Sequence, residues 1–233
     1  MTVELSKNAV VQAYGRWAPI YDVVFGPVFR TGRQVSVRAA ERIGGRILEV
    51  GVGTGLSLSS YSRANSVSGV DISEPMLAKA RRRVARLGLD HVDALDVMDA
   101  EHLSFPDASF DVVVAQYVVT AVPHPERALD EFVRVLRPGG ELVITSRIGA
   151  ESGFRGVAEK ALMPITGWLG FRTDFPWDRY TRWAAARSDV RLLERRPIPP
   201  FGHFSLVRFT KQEAGGAGSP GAERNPQTYE DVG

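Results

Sequence analysis

The sequence contains no cysteine among its 233 residues, which excludes disulfides and thiolate chemistry and makes an intracellular location the default expectation. No window approaches the ~18 consecutive apolar residues that a membrane-spanning helix requires. The N-terminus also lacks an apolar core followed by small residues, the pattern of an export signal. Lysine is scarce, at four of the 29 basic residues. There is no internal repeat and no recognisable DNA or RNA motif, so nucleic acid is not expected as a partner.

Apolar residues make up 44% of the chain, enough for a sizeable core. The net charge is only +2, but it is unevenly spread. Residues 1–46 carry seven basic against three acidic groups, and residues 150–211 carry eleven against six. The centre, residues 47–149, has fourteen acidic against ten basic groups. Two basic segments flanking an acidic centre suit an anionic partner if the fold brings them together.

Residues 45–147 alternate strand and helix signals. RILEV (46–50), SVSGV (66–70), FDVVVAQYVV (110–119) and ELVITSR (141–147) read as strands. EPMLAKARRRVARLG (74–88) and ERALDEFVRVL (126–136) read as helices, the second closed by RPGG. Such alternation implies a parallel sheet with helices on both faces. DVRLLERRPI and HFSLVRFTK read as a terminal strand pair joined through PPFG, and the last 22 residues have the composition of a disordered tail.

LEVGVGTGLS (48–57) places Gly51, Gly53 and Gly55 after a strand. Glycines there let backbone amides approach a nucleotide-like ligand at a helix N-terminus. Asp71 ends the second strand twenty residues after Gly51, where a carboxylate would receive two ribose hydroxyls. Glu49, just before the loop, favours a cationic ligand over a pyrophosphate.

LEVGVGTG, VDISEPMLAKAR, DAEHLSFPDASFD and VLRPGGELVI, in that order, resemble the motifs of the class I S-adenosylmethionine-dependent methyltransferases. The resemblance implies a Rossmann-like α/β fold, a sheet of seven strands, mainly parallel, with the last inserted antiparallel. It implies S-adenosylmethionine as cofactor and S-adenosylhomocysteine as product. Carried over by position, Glu49 and Gly51 lie near the methionine moiety, Gly53 and Gly55 shape the loop, and Asp71 holds the ribose. Ile72 and Met76 pack on the adenine, Met98, Asp99 and Ala100 meet its edge, and Gln116 lies under the methionine end with Tyr21 nearby. The carboxylates of DALDVMDAEH (93–102) fit these contacts better than a magnesium site, so no metal is expected.

AYGRWAPIYDVVFGPVFRTGRQ (13–34) resembles the start of the short, soluble-type bacterial phospholipid N-methyltransferases, which convert phosphatidylethanolamine stepwise to phosphatidylcholine. The alternative is a quinone ring or a small soluble acceptor, since YDVVF recurs in quinone methyltransferases. Residues 3–25 place Val10, Tyr14, Trp17, Ala18 and Tyr21 at helical spacing, and residues 148–184 interleave aromatics with arginines. Each segment reads either as a helix covering the core or as a lid resting on a membrane. An ammonium acceptor must lose a proton before attack, and Tyr21, Tyr117 and His124 are the candidate bases, with Tyr14 and Tyr180 behind them. His91, His102 and His203 read as structural.

The expected organisation is one methyltransferase domain over 1–211: a helical membrane or lid segment (1–44), the cofactor-binding core (45–147), a substrate-side insertion after the fifth strand (148–184) and the terminal strand pair (185–211). The tail follows at 212–233. The expected protein is a cytoplasmic monomer, peripherally associated with the inner face of the cell membrane, acting on phospholipid at an anionic surface.

Overall fold

The computed structural model describes residues 29–148, 176–199 and 204–213. The helix expected over 3–25, most of the 148–184 segment, the PPFG link after Pro199 and nearly all of the tail lie outside them.

The described elements are α1 (Arg30–Glu41), β1 (Arg46–Val50), β2 (Ser66–Asp71), α2 (Glu74–Leu87), β3 (Val92–Val97), β4 (Phe110–Gln116), α3 (Pro125–Val135), β5 (Leu136–Arg147), α4 (Trp177–Ala185), β6 (Val190–Ile198) and β7 (Phe204–Lys211). The seven strands form one sheet in the order β3-β2-β1-β4-β5-β7-β6. Strands β1 to β5 pair in parallel, and β7 lies antiparallel between β5 and β6. This is the sheet that the motif order implies. Strand order reverses between β1 and β4, which opens a crevice at their carboxyl ends.

The central strands are rich in apolar residues on both sides because both faces of the sheet are covered. On one face Leu48, Val50, Val113 and Ala115 pack against Leu129, Phe132 and Val133 of α3 and Tyr180 and Trp183 of α4. On the other, Ile47, Val67, Val112 and Val114 meet Val37 and Ala40 of α1 and Leu77 of α2. Helix α2 stops at Gly88, whose φ of 57° suits glycine. There the N–H groups of Gly88 and Leu89 bond back to Ala85 and Val84.

Four features differ from the sequence reading. Residues 92–97 form edge strand β3, hidden in the sequence because Asp93 and Asp96 interrupt its apolar residues. Residues 30–41 form α1, whose buried face is built from Gly32, Ser36, Val37, Ala39 and Ala40, too small to give a strong apolar stripe. Strand β4 ends at Gln116, since Tyr117 adopts φ 63° and turns the chain aside. Strand β5 begins at Leu136, and its register with β4 jumps from Phe110↔Leu136 to Val112↔Glu141, so RPGG bulges within the strand.

The final part of the 148–184 segment is core cover. Helix α4 buries Tyr180 and Trp183, stacks Trp183 edge-on against Phe209, and holds Glu126 of α3 through both nitrogens Nε and Nη2 of Arg179 at 2.8 and 2.7 Å. Tyr180 is therefore corrected as a candidate base: it is fully buried away from the crevice, and burial pushes its phenol further above the ordinary value of 10. Tyr180→Ala should cost about 3–5 kcal/mol of stability. Tyr180→Phe should cost about 1 kcal/mol; urea unfolding of both variants measures the contrast.

Candidate functional site

The crevice at the carboxyl end of the sheet is a pocket with about 850 Å³ of empty space, its open mouth included. Four strand ends build its wall: Val50, Gly51 and Gly53 at the end of β1, Val70, Asp71 and Ile72 at the end of β2, Met98, Asp99 and Ala100 after β3, and Gln116, Tyr117 and Val118 at the end of β4. Met76 of α2 and the turn residues Ala121, Val122 and Pro123 complete it. A nucleoside-sized ligand fits such a space.

The glycine loop owes its shape to backbone freedom and close packing. Gly51 (φ 71°) and Gly55 (φ 74°) both occupy the left-handed region. A Cβ on Gly51 would come within 2.1 Å of Val118 Cγ2, and one on Gly55 within 3.1 Å of Ala80 Cβ. Asp71 holds the loop. Its Oδ2 accepts the Gly53 N–H at 2.9 Å, and its Oδ1 accepts the Ser73 N–H at 2.9 Å. Burial raises its carboxyl above the ordinary range, against the lowering pull of these amides. The lone pairs left over suit a ligand's hydroxyl donors.

Glu49 lies off the pocket wall, below the loop. Its Oε1 accepts Ser57 Oγ at 2.5 Å and its Oε2 accepts Tyr61 Oη at 2.8 Å. Desolvation pushes its carboxyl up to about 7, although both hydroxyls and the charge of Arg33 favour the ionised form. Gln116 lies beside the Tyr61 hydroxyl, and its buried Nε2 makes no hydrogen bond of ordinary geometry. A buried donor on the pocket wall is an opening for an anionic ligand group.

Gly51, Gly53, Asp71, Ile72, Met76, Met98, Asp99, Ala100, Gln116 and Tyr117 thus meet at one pocket, whereas Glu49 and Gly55 support it from behind. Tyr21 lies outside the described residues. The Tyr117 ring packs on Phe29 (centroids 4.2 Å apart) and edge-on to Phe204 (5.1 Å). His124 follows the pocket residue Pro123 and caps α3; its Nδ1 lies 3.0 Å from Oε2 of buried Glu101. His91 is buried, its Nε2 on the Leu58 carbonyl, in keeping with a structural role. Sequence reasoning missed Ser57, Tyr61 and the 118–123 turn; their only signal was proximity to the glycine loop and to the end of β4.

These residues fit S-adenosylmethionine: an acidic side chain at a ribose position, an apolar slot of Ile72, Met76 and Met98, and a buried amide donor beyond it. Two outcomes test the site. The Glu49 carboxyl titrates at about 4.5 when unfolded and about 7 when folded, so its contribution to stability is complete below pH 4.5 and is lost as pH rises through 7. The loss should amount to about 3 kcal/mol, and denaturation midpoints of Glu49→Gln against wild type across this window should show it removed. Asp71→Asn should weaken S-adenosylhomocysteine binding by about 10-fold or more, measured by calorimetry.

Residues 48–144 match a family model described as a methyltransferase domain. A phosphatidylethanolamine N-methyltransferase of Cereibacter sphaeroides is 43% identical over 88% of this chain and 98% of its own length. A demethylmenaquinone methyltransferase of Thermus thermophilus is 39% identical, but over 54% of this chain and 60% of its own. Among solved structures, a possible histamine N-methyltransferase of Thermotoga maritima, a SAM-dependent methyltransferase, superposes with a TM-score of 0.63 at 26% identity, covering 86% of this chain and 99% of the other. The cyclase SpnF superposes at 0.74 with 19% identity, covering 92% and 99%, a likeness of fold alone. The chain belongs to the family of S-adenosylmethionine-dependent methyltransferases that includes the phosphatidylethanolamine N-methyltransferase of Cereibacter sphaeroides.

Proposed function

We propose that this protein transfers methyl groups from S-adenosylmethionine to the amine of phosphatidylethanolamine and of its methylated intermediates, giving phosphatidylcholine. The observation that carries this reading is the 43% identity to the Cereibacter enzyme along 98% of that enzyme's length, acceptor-side segments included. The quinone methyltransferase of Thermus aligns over only 60% of its own length.

Bound in the pocket, the cofactor supplies a methyl group on a sulfonium, which departs as a neutral thioether when an amine lone pair takes the methyl. The protein's task is alignment and exclusion of water. In this reading Asp71 holds the ribose, Asp99 and Ala100 meet the adenine edge between Ile72, Met76 and Met98, and the Gln116 Nε2 donates at the methionine end. The buried Glu49 carboxylate adds negative potential beneath the loop, favourable to a cation. The acceptor ammonium must give up its proton before attack, and Tyr21, Tyr117 and His124 are the candidate groups to receive it. Aromatic faces suit the growing alkylammonium.

We place the protein as a monomer at an anionic membrane surface, peripherally and on the cytoplasmic side. Support comes from the two basic segments, which the fold brings together: α1 lies against β7 and β6. Arg30 and Arg38 of α1 and Arg191 of β6 are exposed, while Arg196 pairs with Glu194 and Arg195 lies over the Trp177 ring of α4. No helix among the described residues is long and apolar enough to cross a membrane.

The test uses the full chain, labelled methyl donor and liposomes of phosphatidylethanolamine with phosphatidylglycerol. Label should enter mono-, di- and trimethylated lipid, at a rate falling about 10-fold between low and ~0.5 M salt. Label in a quinone or soluble amine, with none in lipid, would overturn the reading.

A further inference from the structure

Gly32 lies in the first turn of α1, buried and without a left-handed φ, so its backbone would accept alanine, a better helix former. What alanine would lack is room. A Cβ on Gly32 would stand 1.9 Å from the hydroxyl oxygen of Tyr117, 3.0 Å from Cζ of the same ring and 3.1 Å from Thr145 Cγ2. The tip of the Tyr117 side chain thus occupies the place where a methyl group of α1 would be.

Tyr117 is held there from several directions. Its φ of 63° lies in the left-handed region, which an aromatic residue rarely adopts and which persists only where the surroundings fix it. Its N–H donates to the Thr145 carbonyl at 2.7 Å, and the Thr145 hydroxyl is hydrogen-bonded to Ser36 of α1. Phe29 and Phe204, which meet each other edge-on at 5.6 Å, both pack on the ring, and its Oη stands 3.5 Å from the Phe29 carbonyl. Among the described residues these contacts cover the sides of the ring toward α1, β5 and β7. Tyr117 also lines the pocket, between Gln116 and Val118. Gln116 is at the methionine end in the reading above, which puts its neighbour Tyr117 at the same end.

We propose that Gly32 is a positioning residue that sets how large an alkylammonium the pocket accepts: the gap it leaves receives the Tyr117 hydroxyl and keeps the ring drawn back toward α1, clear of the methionine end. This rests on the reading that the acceptor is a lipid amine methylated in steps. Each step adds a methyl group to the same nitrogen, so the last transfer meets the bulkiest amine. A ring pushed off α1 has Phe29, Phe204 and Thr145 on its packed sides and moves toward the pocket, where it excludes the dimethylated headgroup first. The competing role for Gly32 is close helix packing alone, whose loss lowers stability and slows every transfer alike.

The test uses the full chain, labelled methyl donor and liposomes containing either phosphatidylethanolamine or its dimethylated derivative, with the wild type, Gly32→Ala, Tyr117→Phe and the double variant. Gly32→Ala should lower kcat/KM for the dimethylated lipid about 10-fold more than for phosphatidylethanolamine, with S-adenosylhomocysteine affinity within about threefold of wild type by calorimetry. Phenylalanine at 117 removes the oxygen nearest the added Cβ, so the double variant should recover the ratio of the two rates to within about threefold of that in Tyr117→Phe. Reading the double variant against Tyr117→Phe cancels whatever the hydroxyl itself contributes to turnover. Equal losses for the two lipids in Gly32→Ala, a ratio that Tyr117→Phe does not restore, or a fall in S-adenosylhomocysteine affinity matching the fall in turnover would overturn the proposal. Should Gly32→Ala fail to fold, Gly32→Ala with Thr145→Ser carries the same assays, since it removes the Cγ2 methyl group 3.1 Å away and keeps the hydroxyl bonded to Ser36. A wild type that binds S-adenosylhomocysteine yet labels neither lipid would instead overturn the acceptor reading.

Discussion

The carboxylate of Asp71 ties together two turns, adding to the backbone bonds from Gly51 and Val52 to the Val70 carbonyl. One oxygen holds the Gly53 amide after β1 and the other the Ser73 amide before α2. Three glycines at positive φ would otherwise give that loop wide conformational freedom. The tie is made in a place where water solvates a carboxylate poorly, and Glu49 behind the loop is in a worse one, with its carboxyl raised to about 7. Both groups are thus more comfortable when a ligand brings hydroxyl donors or positive charge.

The strand-and-glycine framework was legible in the sequence because it depends on short-range rules. β1 and β4 carry short apolar runs, Ile47–Leu48 and Val112–Ala115, Gly88 marks a helix end, and Asp71 follows Gly51 at the spacing of one strand-to-strand connection. What stayed hidden depends on contacts distant in sequence. β3 is a strand only because β2 offers it an edge, and α1 packs through glycine, serine and alanine, whose value is the closeness they permit. Tyr180 and Trp183 look alike in the sequence to residues of a lid, and only the ion pair between Arg179 and Glu126 and the ring of Phe209 show them to be core. Glu101 was concealed for the same reason, since its partner lies 23 residues further along.

The same fold in SpnF, a cyclase, cautions against reading chemistry from the sheet. The sheet and its glycine loop supply a platform for one half of the reaction. At its margin, among the described residues, stand the turn from Val118 to His124 and α1. In this chain that margin is aromatic beside Tyr117 and arginine-rich along α1 and β6, a combination suited to an alkylammonium carried on an anionic surface.

Gly51 lies so close to Val118 that not even a methyl group separates the loop after β1 from the turn after β4. Two neighbouring parallel strands therefore end in segments that cannot be displaced independently. A shift of the first when the methyl donor enters presses on the second, which lines the same pocket. Steric contact thereby couples two walls of one pocket, the loop after β1 and the turn after β4.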